Sequence, residues 1–151
     1  MNEETRARAL RILEKRDVSR AMLLERLMKN GATEADAKEA ADWLCGLGVV
    51  DDRRFSELVV RHYAAKGFGL RRIREELHRR GIPRELWEEA LAVLPETEDT
   101  VYALLRQKLR GTAAEAAELR RAQAFLLRRG YSWEEIRAAM DRYRAEIEET
   151  E

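Results

Sequence analysis

The sequence predicts an all-α fold built as three tandem three-helix repeats forming an elongated, curved array. Three observations carry that expectation. The first is self-similarity at a period of about 50 residues. A shift of 50 places Leu27 on Leu77, Gly31 on Gly81, Ala40 on Ala90 and Leu44 on Leu94; a further shift of 49 places Leu77 on Leu126, Gly81 on Gly130, Ala90 on Ala139 and Leu91 on Met140. A fixed period of this length marks a stacked array of supersecondary units. The second is apolar spacing of three and four, as in Leu70, Ile73 and Leu77, or Leu86, Ala90, Leu91 and Leu94, with no sustained strand alternation. The third is sparse punctuation: two prolines and eight glycines in 151 residues, with Gly31, Gly81 and Gly130 just past helical segments, where a left-handed C-cap residue is expected. Bundles linked end to end present surface rather than enclose a deep pocket.

The elements follow in order. The first repeat, residues 1–50, reads as helices 4–16, 20–30 and 34–47, the last opened by Thr33 with Asp36 three residues on. The second, 51–95, reads as helices 53–66, 70–80 and 83–94. Asp51 or Asp52 caps the first of these and favours its positive end, and Pro83 suits a first helical position. The third, 96–151, reads as helices 98–110, 113–129 and 133–149, with capping boxes Thr112–Glu115 and Ser132–Glu135. Rotation at 100° per residue puts Leu70, Ile73 and Leu77 on the core side of helix 70–80. Arg72, Glu75 and Arg79 fall on the far side, Arg71 and Arg80 flank them, and Arg74 lies near the core boundary. Trp43, Trp87 and Trp133 all lie on third helices and are expected to anchor cores.

Composition narrows the function. The chain carries 29 Lys plus Arg against 29 Asp plus Glu; 38% of residues are charged and 45% hydrophobic, enough to bury a core under a surface dense in ion pairs. The single cysteine, Cys45, excludes a disulfide framework or a multi-cysteine metal site and reads as a buried small hydrophobe. His62 and His78, sixteen apart, make no helical metal pair. No phosphate-cradling glycine loop occurs, and the pairs Glu75–Glu76 and Glu88–Glu89 read as solvated helix surface rather than acid–base machinery. No enzyme, cofactor or metal is therefore expected. No apolar run spans a membrane, and the charged N-terminus lacks a secretory core, so the expected compartment is the cytoplasm. No sustained apolar heptad demands a dimer, and a monomer is expected. Arg outnumbers Lys 24 to 5 while Asn and Gln total four; a hot-living source and a GC-rich genome would each produce this.

Zero net charge hides a pattern. Residues 61–84 hold Arg61, Lys66, Arg71, Arg72, Arg74, Arg79, Arg80 and Arg84 against Glu75 and Glu76, a local excess of six. Residues 106–129 hold Arg106, Lys108, Arg110, Arg120, Arg121, Arg128 and Arg129 against Glu115 and Glu118, an excess of five. One reading is a solvated face on which Glu75 pairs with Arg71 and Arg79. The other is a basic ridge for an anionic partner.

From Asp51 onward the sequence resembles the RecX family of bacterial regulators of the RecA recombinase. The resemblance rests on Asp51-Asp52-Arg53-Arg54-Phe55-Ser56, similar to a DDxxFA pattern. It continues through Lys66-Gly67-Phe68-Gly69-Leu70-Arg71-Arg72-Ile73-Arg74-Glu75-Glu76-Leu77 to Gly81-Ile82, similar to KGxGxxRIRxELxxxGI. The run from Phe125 to Tyr131 and on to Ile136 is similar to the family's C-terminal part; the first repeat matches mainly in period. Ser56 stands where alanine is common. The resemblance implies tandem three-helix repeats and binding to RecA, chiefly RecA–single-stranded-DNA filaments. It implies inhibition of recombinase, ATPase and coprotease activities, a place in homologous recombination, DNA repair and the SOS response, and contact with single-stranded DNA in some members. Carried onto this chain, it makes Asp51, Asp52, Phe55, Gly67, Gly69, Ile73, Leu77 and Gly81 a structural signature, with Phe55 and Tyr63 anchoring a core. Lys66, Arg71, Arg72, Arg74, Arg79, Arg80, Arg110, Arg120 and Arg121 become the partner-binding set. The alternative from another class is a helix-turn-helix-like DNA-binding protein, against which zero net charge counts.

Overall fold

A computed structural model describes residues 1–109 and 114–150. Among them are nine α-helices and no strand: α1 Glu3–Lys15, α2 Arg20–Lys29, α3 Glu34–Gly46, α4 Asp52–Ala65, α5 Leu70–Arg79, α6 Trp87–Leu91, α7 Glu98–Leu109, α8 Ala116–Arg128 and α9 Trp133–Thr150. All except α6 and α8 begin and end within one residue of the ranges read from the sequence.

The two exceptions have local causes. The helix expected over 83–94 is a 3-10 turn, Arg84–Leu86, followed by the short α6. Pro83, with φ −56° and ψ 136°, is extended and stands outside the helix rather than at its first position. At the other end Pro95 disfavours helical dihedrals at Leu94. α8 opens after Glu115, which makes no side-chain cap; the Thr112 half of the expected capping box lies outside the described residues. The remaining caps form. Thr33 Oγ1 accepts from Asp36 N–H at 3.1 Å, Asp51 Oδ1 from Arg54 N–H at 3.1 Å, and Ser132 and Glu135 bond reciprocally at 2.9 and 3.1 Å. Asp52 instead reaches across to another helix, where its Oδ1 accepts Arg20 N–H at 2.8 Å at the start of α2.

The repeat is exact at the level of backbone hydrogen bonds. After α2, Gly31 N–H bonds Met28 O and Ala32 N–H bonds Leu27 O; after α5, Gly81 bonds His78 and Ile82 bonds Leu77; after α8, Gly130 bonds Leu127 and Tyr131 bonds Leu126. Each is a Schellman closure that needs a left-handed residue, and the three glycines have φ of 99°, 68° and 99°. The superposed apolar positions Leu27, Leu77 and Leu126 are fully buried, and Ala40, Ala90 and Ala139 nearly so.

The chain forms two compact units. The first comprises residues 1–60 and 76–93. Ala9, Leu23, Leu27, Ala37, Ala40 and Leu44 of α1, α2 and α3 make one buried cluster. Val59, Val60, Leu77, Ile82 and Trp87 are also buried, and Trp87 Nε1–H donates to Ile82 O at 2.9 Å. The second unit comprises residues 61–75 and 94–151. Its core joins Val101 and Leu105 of α7, Leu126 of α8 and Ile136, Met140 and Tyr143 of α9.

Several sequence expectations change here. Leu70 is 44% exposed, because it opens α5 and its Cβ points back beyond the first packed turn. Glu76, expected on a solvated face, is 1% exposed. The buried arc of α5 runs through Ile73, Glu76 and Leu77 and is turned toward Glu76 relative to the arc of the leucines. Glu76 remains tolerable because Arg79 Nη1 lies 3.2 Å from Oε1 and Arg80 Nη1 bonds Oε2; a buried carboxylate requires such partners. Arg79 therefore pairs with Glu76 rather than Glu75. Phe55 and Tyr63 are only half-buried, and α4 buries Ser56, Val59 and Val60 instead. Of the tryptophans only Trp87 is buried. Trp43 is half-buried beneath the Arg6 guanidinium at 4.4 Å, and Trp133 is 51% exposed. Cys45 is half-buried, and desolvation raises its thiol pKa.

Candidate functional site

Gly67, Phe68 and Gly69 link α4 to α5, and within the second unit they meet the turn after α8. Gly67 has φ 83°, and its carbonyl accepts the Tyr131 hydroxyl at 2.7 Å. Tyr131 is buried, and desolvation pushes its pKa up to about 12. Gly69 N–H donates to Arg129 O at 2.7 Å and Arg71 N–H to Gly130 O at 3.2 Å. Two otherwise unpartnered amides at the start of α5 are thus satisfied by carbonyls at the end of α8. A Cβ on Gly69 would lie 2.6 Å from the backbone carbon and oxygen of Gly130, and a Cβ on Gly130 would lie 2.5 Å from Arg72 N. Both glycines are required by backbone approach. The Lys66–Gly69 motif is in this sense a docking motif.

That approach gathers cations around two rings. The Arg72 guanidinium lies 5.0 Å and that of Arg129 4.4 Å from the Phe68 ring centroid. Arg129 is also 5.3 Å from Phe125, whose ring has Lys108 Nζ at 4.2 Å. The result is an alternating series Arg72–Phe68–Arg129–Phe125–Lys108, each contact contributing about 0.5–1 kcal/mol when exposed. Arg129 Nη1 also donates to Lys66 O at 3.2 Å, and Arg71 donates to Leu127 O at 2.5 Å while pairing with Glu75 at 3.0 Å. Beside the series, Lys108, Arg121, Phe125 and Arg128 line a groove in which Glu118 is the carboxylate among the described lining residues.

The 61–75 part of the first basic run thus shares one unit with the second run. Arg72 is half-buried and stacked rather than on the far side of α5. Arg74, Arg120 and Arg121 are exposed. Arg79 and Arg80 belong to the first unit and serve Glu76. Arg110 lies outside the described residues. The sequence reading gives Phe68 and Phe125 no role beyond their place in the family runs, although each stands four residues before an arginine it meets, Arg72 and Arg129. The arrangement offers guanidinium and ammonium groups held in place by aromatic faces, suited to an anionic or aromatic partner.

Comparisons with known proteins agree with this frame. Residues 51–91 match the description "RecX, second three-helix domain" and residues 96–140 match "RecX, third three-helix domain". The chain is 33% identical to the regulatory protein RecX of Chromohalobacter salexigens over 133 residues, covering 87% of this chain and 88% of that one. It is 33% identical to that of Leptothrix cholodnii, covering 89% and 86%. A crystal structure of RecX from Lactobacillus salivarius has a TM-score of 0.83 at 18% identity, covering 94% of this chain and 96% of its own, a likeness of fold.

Proposed function

The chain belongs to the RecX family of regulatory proteins, and from that premise we propose that it binds the RecA recombinase, chiefly as RecA–single-stranded-DNA filaments, and inhibits its recombinase, ATPase and coprotease activities. It acts as a cytoplasmic monomer, by occupancy and without catalysis of its own. The observation that supports this reading is the ring-and-cation surface of the second unit, where Lys108, Arg121 and Arg128 stand beside the Phe68–Arg129–Phe125 series. Such a surface fits acidic protein side chains or phosphate on the filament. The three-repeat division at residues 1–50, 51–95 and 96–151 belongs to the same proposal, each repeat adding a modest contact along one partner.

The test is the DNA-dependent ATPase rate of RecA on single-stranded DNA as the protein is titrated in. Turnover that falls at ratios far below one is expected, because blocking extension needs few molecules per filament. An unchanged rate at excess protein and low salt would overturn the proposal.

A further inference from the structure

The first unit carries a cationic groove that the regulatory reading does not use. Arg8, Arg11, Lys15 and Arg16 of α1 and Arg26 of α2 line a space of about 710 Å³, with Glu14 the carboxylate among its described lining residues. Arg8 is held in place by Glu4 at 2.6 Å and by the Asn30 carbonyl at the end of α2. Arg26 is half-buried. Among the described residues no carboxylate lies within ion-pair distance of Arg11, Lys15, Arg16 or Arg26. The carboxylates of α3 are engaged with other cations: Glu34 with Lys38 at 3.0 Å, Asp42 with Arg20 at 2.9 Å, and Asp36 and Glu39 with the Met1 amino group. Cations thus outnumber carboxylates in this groove, and guanidinium groups so placed are ready donors to an anion.

We propose that this groove between α1 and α2 binds a condensed phosphate chain, inorganic polyphosphate. Arg8, Arg11 and Lys15 follow one another along α1 with rises of about 4.5 and 6 Å, and Arg26 joins them from α2. Cations packed this closely match an anion whose charges are equally close. A condensed phosphate places a single oxygen between successive phosphorus atoms and carries a charge on each. A phosphodiester strand places a sugar there and hangs a base from it, and the described lining holds no aromatic ring on which a base could stack. A free nucleotide meets the same obstacle. An acidic polypeptide would bring apolar anchors, and Ile12 is the one apolar side chain among the described lining residues. Guanidinium forks take phosphoryl oxygens in pairs, while Lys15 supplies a point charge. The inference goes beyond the regulatory reading, and its test contains no recombinase.

The test is isothermal titration calorimetry of the full chain with sodium tripolyphosphate, at about 50 and about 200 mM salt. Saturable binding that weakens with salt is expected, together with a rise in melting temperature; neither signal at the low-salt end would overturn the proposal. Arg11→Gln combined with Arg26→Gln should weaken binding at least about fivefold, as loss of two charge-assisted contacts requires. Glu14→Gln should tighten binding, a gain that misfolding cannot mimic. Unchanged affinity in a double variant with the parent's melting curve would overturn the proposal. If the double variant does not fold, Glu14→Gln decides alone, and unchanged affinity overturns it. Sulfate binding as tightly at equal ionic strength would reduce the groove to a patch for point anions. ATP binding more tightly than tripolyphosphate would reveal a seat for a base, and displacement of tripolyphosphate by oligothymidylate at equal phosphate would assign the groove to a phosphodiester. Each of these three results overturns the assignment to a condensed phosphate.

Discussion

Gly69 shows how much one missing Cβ can matter. It does not have a positive φ, so conformational freedom is not its role; the Gly130 backbone 2.6 Å from its virtual Cβ is. Gly69→Ala should cost about 1–3 kcal/mol, as overpacking against backbone does. Gly46, the last residue of α3, has nothing within 4 Å of its virtual Cβ, and Gly46→Ala should stabilise by about 0.5–1 kcal/mol. Urea melts of the two variants check the contrast, and equal costs would refute the backbone-approach account. Tyr131 gives a pH signature. Its folded pKa of about 12 lies above the ordinary value of 10.0, so the neutral phenol is favoured in the native state. That contribution is complete below pH 10 and disappears as pH rises from 10 toward 12. Tyr131→Phe should remove the bond to Gly67 O at a cost of about 1 kcal/mol and flatten the alkaline fall in melting temperature. A fall as steep as the parent's would assign it to Tyr102 and Tyr143, whose pKa values burial also raises.

At the scale of elements, α5 joins two demands. Ile73 and Leu77 are fully buried, Glu76 is 1% exposed, and the end of the helix closes on Gly81. Leu77→Ala should cost roughly 2–5 kcal/mol. Glu76→Ala should cost about 3 kcal/mol, because it leaves the partly buried Arg80 guanidinium without its carboxylate. Denaturant midpoints measure both, and a cost near zero for either would contradict the buried arc assigned to α5. Gly81 adds a positional constraint: its virtual Cβ falls 2.5 Å from Ala21 Cβ. Ser19 ties the same ends together, accepting Met22 N–H at 3.1 Å while donating to Arg80 O. Arg80, a member of the partner-binding set implied by the resemblance, thus also ties the fold together through Glu76 and Ser19.

For the whole molecule, zero net charge gives a misleading first impression, because cations gather locally: Lys108, Arg121 and Arg128 line one groove in which Glu118 is the carboxylate among the described lining residues. The exposed cations Lys108, Arg121 and Arg128, rather than the stacked Arg72 or the paired Arg79, are the ones to reverse. Lys108→Glu, Arg121→Glu and Arg128→Glu together should weaken the proposed inhibition of RecA's ATPase by at least about tenfold in half-effective concentration, with modest loss of stability, since exposed substitutions move it by about 0.5 kcal/mol each. Unchanged inhibition would direct attention away from the second unit. Salt should act in the same direction, screening exposed charges within a Debye length of about 8 Å at physiological ionic strength.

The helices, their period and their closures were readable in order along the chain. Apolar spacing, glycine after a helix and a capping residue before one are local signals acting within a few residues, and for that reason seven helices were bounded to within one residue. The family motif was equally legible, as was the charge imbalance around it. What required folding was the side each residue faces and whom it meets. Glu76 reads as solvated until Arg79 and Arg80 close over it, and Leu70 reads as core until the packed arc of α5 is seen to turn away from it. Trp133 reads as an anchor until it is found exposed. Phe68 and Phe125 stand 57 residues apart in sequence and share Arg129 only because Gly69 and Gly130 let two backbones touch. Local hydrogen bonding sets where a helix starts and stops; long-range packing sets its rotation, and the interaction surface depends on rotation.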